Sequence, residues 1–219
     1  MTILIGVCGG SGSGKSTLAH ALAADFNATC LSMDHYYLFG SARPSRLGQN
    51  FDHPDNIDWS LLHAHVSSLR RGDAIQRPIY NYSKGVEGFV AVAPAPVVIV
   101  EGLLILHDPR IEALFDVKIH LETDLSIQLA RRLARDASER GIPETETQKM
   151  WDDAVAPMHH AFVAPQKSRA HFSLDSGQPM ALMLEEARAA LRSHLPALWS
   201  HEASAGVMAS SEKRKQPRA

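Results

Sequence analysis

Residues 9–17 read Gly-Gly-Ser-Gly-Ser-Gly-Lys-Ser-Thr, between the apolar stretch Ile3-Leu4-Ile5-Gly6-Val7 and a segment whose apolar positions Leu18, Leu22 and Phe26 recur at near-helical spacing. Strand, glycine turn and helix are the context in which the pattern Gly9-x4-Gly14-Lys15-Ser16 forms a phosphate-binding loop. Glycines let successive backbone N–H groups turn inward around an anion, and the helix N-terminus adds positive partial charge. Gly9, Ser11, Gly12, Ser13, Gly14, Lys15, Ser16 and Thr17 are therefore the expected contacts of nucleotide phosphates. Lys15 reaches the β- and γ-phosphates, the Ser16 hydroxyl serves a magnesium ion, and Thr17 sits near the α-phosphate. A dinucleotide fingerprint counted from Gly10 and Gly12 would need a third glycine where the chain has Lys15. A Gly/Ser turn that binds nothing is the other alternative.

The rest of the chain alternates strand and helix patterns. Strands are expected at Ala28 to Met33, at the branched apolar run Pro96 to Val100, and at Val117 to Leu121. Helices are expected at Trp59 to Leu69, Leu125 to Arg135, Glu144 to Ala154 and Pro179 to Leu195. Phe39 to Pro54 reads as a long loop, and Ile75 to Phe89 as a segment broken up by Pro and Gly. This order predicts an α/β fold of the P-loop NTPase type, a parallel sheet with helices on both faces. The 219 residues suffice for one domain, placed at residues 1–200. From residue 201 to 219 the composition turns to Ala, Ser and charge, a tail predicted to be disordered.

The net charge of −2 gives no general pull toward nucleic acid or anionic membrane, and no stretch holds the roughly 20 apolar residues that span a bilayer. Two cysteines, Cys8 and Cys30, make no scaffold and fit a reducing, cytoplasmic setting. The expected partner is thus a small molecule; a homo-oligomer is left open. Asp34 ends the second predicted strand, where ligands of open α/β sheets bind, and a carboxylate there can take the proton of an attacking hydroxyl. Asp34 as a helix cap or turn residue is the alternative. Glu101 ends the most apolar strand, a place from which an acidic group can hold magnesium. In the basic helix Arg131 and Arg135 stand one turn apart, with Arg132 beside them, and Arg140 precedes Gly141. A helical lid that swings Arg132, Arg135 and Arg140 over the phosphates accounts for this run, and a solvated helix face is the alternative.

Taken with the phosphate loop, the runs Asp34-His35-Tyr36-Tyr37, Asn50-Phe51-Asp52-His53-Pro54-Asp55 and Val100-Glu101-Gly102 resemble the uridine kinase family and its phosphoribulokinase relatives. The resemblance covers roughly residues 1–175 and extends to Arg132, Arg135-Asp136 and Glu139-Arg140-Gly141, which look like that family's lid. It implies ATP-dependent phosphorylation of the primary hydroxyl of a nucleoside, uridine or cytidine before others, with Mg2+ as cofactor. It also implies that Asp34 is the base and that Asp52 holds the ribose hydroxyls, while Tyr36 and Tyr80 are counted on the acceptor side. A turn role is the alternative for Asp52, and His53 is read as a structural hydrogen-bonding residue.

The chain departs from that pattern in the base-recognition segment. The family's Tyr-Asp-Phe, followed by a histidine and an arginine, is replaced here by Tyr80-Asn81-Tyr82-Ser83-Lys84-Gly85-Val86-Glu87, with Gly85 and Glu87 at the histidine and arginine positions. Ile142 stands where the family's lid carries a further arginine. These departures keep two rivals open: the same chemistry on another acceptor (nicotinamide riboside, a sugar phosphate or a small acid), and a nucleotide-binding regulatory protein without transfer.

Overall fold

The computed structural model describes residues 2–45 and 50–196. The boundary at residue 200 and the tail at 201–219 lie outside the described residues. Five parallel strands, β1 (Ile3–Gly9), β2 (Thr29–Ser32), β5 (Val97–Gly102), β6 (Val117–Glu122) and β7 (Phe172–Asp175), form one sheet in the order β2-β5-β1-β6-β7. The two most apolar runs, β1 and β5, are paired at its middle, as strands covered on both faces must be. Their side chains alternate between two cores. Leu4, Val98 and Val100 pack toward α2 (Trp59–Arg71) through Leu62, Val66 and Leu69. Ile5, Val7 and Ile99 pack toward α1 (Lys15–Phe26) and α7 (Met180–His194) through Leu18, Leu22 and Met183.

Helix ends are set locally. Asp58 caps α2, accepting from Leu61 N–H at 2.9 Å, and Gly72 closes it. A bidentate pair of Arg70 with Asp116, whose carboxylate also accepts from Leu4 N–H at 2.8 Å, ties α2 to the start of β1. After the short α3 (Pro109–Glu112), the basic helix α4 runs Leu125–Arg140, longer than the predicted Leu125 to Arg135, and ends on Gly141. The acidic helix α5 (Glu144–Met150) stops before the predicted Ala154. The chain then widens into π-type turns, Trp151–Val155 and His159–Val163, on either side of α6 (Ala156–Met158). Neither the strand β7 nor an antiparallel hairpin of β3 (Ile75–Asn81) and β4 (Gly85–Val92), standing apart from the main sheet, was expected.

His120 on β6 is 4% exposed, and neither ring nitrogen has a hydrogen-bond partner. Burial, aided by nearby His159 and Lys167, lowers its pKa to about 4. The folded state therefore resists a proton that the unfolded chain accepts near pH 6.5, so stability is lost as pH falls from there toward about 4. Chemical denaturation at pH 7 and pH 4.5 should show a loss of about 2 kcal/mol from this group, largely absent in His120→Gln.

Candidate active site

The strand register gathers the site. Glu101 lies opposite Val7 on one side and Ser32 on the other, so β1, β2 and β5 end together. The glycine loop leaves β1 and the turn Met33–Tyr36 leaves β2 along the same edge. A cavity of about 630 Å3 opens there, lined by Lys15, Asp34, Asp52, Arg132, Arg135 and Arg140 among others.

The loop is built against α4. Gly12 has φ 78°, and a Cβ there would stand 2.6 Å from the Gln128 carbonyl oxygen, so glycine alone allows this packing. Arg131 donates to the Gly12 carbonyl at 3.2 Å and Arg132 to the Ser11 hydroxyl at 3.1 Å. Gly9 leads the loop out of β1, and Gly14 caps α1 ahead of Lys15. Ser13 is fully buried and faces inward, while Thr17 is exposed on α1. The Ser16 hydroxyl donates to Glu101 at 3.1 Å, and Glu101 is 3% exposed. No group of three His, Cys, Asp or Glu side chains suited to a metal occurs among the described residues. One hydroxyl and one carboxylate, both hard oxygens at the foot of a phosphate loop, suit an ion such as magnesium that keeps water and phosphate ligands.

The capping alternative for Asp34 is filled by a neighbour: Ser32 accepts from Asp34 N–H at 3.3 Å, which leaves the Asp34 carboxylate to face the cavity. Tyr82 lines the same cavity, and burial, with the Asp34 carboxylate nearby, pushes the Tyr82 phenol well above its ordinary pKa. At Asp52 the turn role likewise falls to another residue, since Asn50 accepts from Asp52 N–H at 3.1 Å. The Asp52 carboxyl end is enclosed although the residue as a whole is only half-buried. Burial raises its pKa, against the pull of Arg132 and Lys15 and with the push of Asp34. His53 accepts from Asp55 N–H at 3.1 Å and sets its ring edge-on to Phe162, a structural role as expected.

Tyr36 does not reach the cavity. It is 1% exposed within the α2-side core, its hydroxyl bonded to His65 Nδ1 at 2.9 Å. In the three-residue period of a 3₁₀ turn, Tyr36 follows Met33 onto the core side, and Tyr37 faces the cavity instead. Tyr37 is one of four rings, with Phe51, Tyr80 and Tyr82, whose centroids lie 5.4–5.8 Å apart. Tyr80 lines the cavity, its hydroxyl 3.5 Å from the Leu38 carbonyl.

The predicted lid arginines converge on one residue that sequence reasoning assigned no role. Asp136 is fully buried and lies 3.2 Å from Arg132, 3.0 Å from Arg135 and 3.2 Å from Arg140. The departures also have a structural reading. Gly85 has φ 81°, and a Cβ there would meet the Phe39 ring at 2.6 Å, so Phe39 covers the position of the family's histidine. Glu87 accepts from Asn81 at 3.2 Å and pairs with Lys84 at 3.1 Å, bracing the hairpin tip. Ile142 brings an apolar side chain to the cavity wall.

A neutral amide at position 52 should relieve the burial that raises the carboxyl pKa, because a carboxyl group held above its unfolded value loses stability as pH rises through that window. Asp52→Asn should therefore melt higher than the parent at pH 7.5, by a few degrees. A lower melting temperature would contradict it.

A family model described as Phosphoribulokinase / Uridine kinase family matches residues 4–182. A uridine kinase of Clostridium perfringens is 40% identical over 182 residues, covering 80% of this chain and 88% of that protein. Among solved structures, a D-glycerate 3-kinase from Cryptococcus neoformans aligns with a TM-score of 0.60 at 18% identity, covering 81% of this chain and 87% of the other. The phosphoribulokinase from Rhodobacter spheroides aligns at 0.57 and 15%, covering 80% and 70%. These two likenesses bear on the fold alone. With the family model spanning the loop, the three carboxylates and the arginine helix, the chain belongs to the Phosphoribulokinase / Uridine kinase family and is a kinase.

Proposed function

We propose that the chain transfers the γ-phosphoryl group of ATP to the primary hydroxyl of a ribonucleoside, with uridine and cytidine foremost. The observation that carries this reading is that two carboxylates, Asp34 and Asp52, line one cavity together with Lys15, Arg132, Arg135 and Arg140. In the reaction the acceptor oxygen forms a bond to the γ-phosphorus, the bond to the bridging oxygen of ADP breaks, and the acceptor proton passes to Asp34. Asp52 takes the vicinal ribose hydroxyls, and a carboxylate with two oxygens suits that pair.

The residues around the glycine loop fit Mg·ATP, with Ser16 and Glu101 holding the ion directly or through its water. Bound there, magnesium supplies positive charge to the phosphate oxygens. Lys15 lies on the same phosphates. Arg132, Arg135 and Arg140 close over them, exclude water and stabilise the charge that builds on the transferring group. The rings of Tyr37, Phe51, Tyr80 and Tyr82 offer the base stacking surfaces. With Phe39 over Gly85 and Glu87 engaged at the hairpin tip, the base is held more by stacking than by the histidine and arginine of the family pattern.

A panel of acceptors in an ATP-consumption assay tests the reading. Uridine and cytidine should stimulate ADP release and yield the 5′-monophosphates. Stimulation by a sugar phosphate, glycerate or nicotinamide riboside with none by uridine or cytidine would replace the acceptor. Steady hydrolysis that no acceptor alters would favour a regulatory protein. No helix among the described residues is long and apolar enough to cross a membrane.

A further inference from the structure

Arg131 does not line the cavity beside Arg132, Arg135 and Arg140; it lies against the phosphate loop. Positions 128, 131 and 132 share one face of α4, and that face meets the loop residue by residue. Gln128 is 1% exposed, and its amide donates to the Thr123 carbonyl at 2.8 Å. It fills the space beside Gly10, where a Cβ would stand 2.0 Å from its Oε1. Arg132 takes the Ser11 hydroxyl. Arg131 spans two carbonyls, Nη1 donating to Gly12 at 3.2 Å and Nη2 to Ser176 at 2.8 Å. The second carbonyl is a fixed point. Ser176 is 2% exposed, its N–H donates to the Glu122 carbonyl at 2.8 Å, and its hydroxyl shares a hydrogen bond with that of Thr123. Arg132 and Arg135 pair with Asp136, whereas Arg131 has no carboxylate partner among the described residues.

From this juxtaposition we infer that Arg131 is a positioning residue for the ATP phosphates: it keeps the Gly12 carbonyl turned to α4, so that the loop offers the anion N–H donors and no acceptor. The inference rests on the reading that this loop binds ATP. The peptide joining Gly12 to Ser13 is gripped at both ends, its C=O by Arg131 and its N–H by the Gly10 carbonyl at 3.2 Å. Gly12, at φ 78°, has no Cβ to oppose rotation of that peptide, so its orientation depends on these two bonds. Turned over, the peptide would present a carbonyl oxygen to the phosphates and exchange attraction for repulsion. A guanidinium suits the task because its two terminal nitrogens lie in one plane and reach two carbonyls at once. Its charge also strengthens the bond to Gly12. Anchoring through Ser176 ties the loop to the turn after β7 as well as to α4, and the arginines of the lid rise from that same helix.

Two variants and two kinds of measurement test the inference. In the nucleotide-free protein, Arg131→Ala should speed hydrogen exchange of the loop amides at residues 10–14 and leave those of β1 and α1 unchanged. Equilibrium binding of Mg·ATP should weaken about tenfold, the scale of one lost hydrogen bond to a charged group. The KM for ATP should rise with it, while the KM for the acceptor stays within about twofold of the parent. Arg131→Lys should behave more like Arg131→Ala than like the parent, because an ammonium on a flexible stem does not span both carbonyls. Parent-level ATP binding and loop exchange in Arg131→Ala would overturn the inference. Full recovery in Arg131→Lys would also overturn it, by showing that only the charge matters. An equal loss on the acceptor side would do the same, by showing that α4 as a whole has moved. If the parent protein itself binds no ATP, the reading of the loop has failed, an outcome visible before any variant is made.

Discussion

Replacing Asp34 by asparagine should reduce kcat by about 10³-fold while leaving ATP affinity within about twofold of the parent, measured by turnover with saturating uridine and by equilibrium nucleotide binding. Asparagine keeps the size of the side chain, and Ser32 still accepts from the backbone N–H at position 34, so the turn Met33–Tyr36 keeps its shape. What it cannot do is receive a proton. The donor phosphates sit on a different element, the loop after β1, so their binding is separable from the acceptor side. A kcat within tenfold of the parent would mean that the acceptor proton leaves by another route and that Asp34 only orients the hydroxyl. Loss of ATP binding would mean that Asp34 instead holds the fold of the loop edge.

Where a segment's placing follows from its own residues, the sequence was enough. The glycine loop, the buried strands β1 and β5, and Asp34 and Glu101 at strand ends all follow from local pattern plus the rule that ligands of parallel sheets bind beyond the carboxyl ends. Register then adds what pattern cannot state: Ser16 beside Glu101 depends on β1 pairing β5 so that Val7 faces Glu101. Tyr36 and Tyr37 show the limit. Both are aromatic and adjacent, and which one reaches the cavity depends on a single 3₁₀ turn that a four-residue segment does not announce.

The hairpin β3–β4 was hidden for a related reason. Pro78, Gly85 and Gly88 punctuate it as a loop would be, yet Pro78 is tolerated in a two-stranded ribbon and Gly85 supplies the positive φ at the turn. Its placing makes Tyr82 a cavity residue 48 positions from Asp34. The available clue was the substitution of phenylalanine by tyrosine in an otherwise altered run, which marks an added polar atom without saying what it meets. β7 is four residues long, with Ser173 and Asp175 among them, and becomes a strand only because β6 offers an edge.

Asp136 was illegible for the opposite reason: it looks like one more charge on a charged helix. Its removal should have the largest structural effect of any single change at the site. Asp136→Ala should lower stability by about 2–3 kcal/mol and cut kcat by about 10²-fold, with a smaller effect on acceptor KM. The carboxylate is fully buried, so its desolvation is offset only by the three guanidinium groups around it, and removing it leaves those cations facing one another. The loss is smaller than for a wholly enclosed pair because the side chains of Arg135 and Arg140 are 33% and 42% exposed and regain water. The rate falls because the arginines would no longer be held at one height over the cavity, and donors aimed at developing charge lose effect when they must first be ordered. Chemical denaturation and steady-state kinetics read the two effects separately. A stable Asp136→Ala with a normal rate would show that Ser11, which accepts from Arg132, and the packing of α4 on Gly12 are enough to hold the arginines in place.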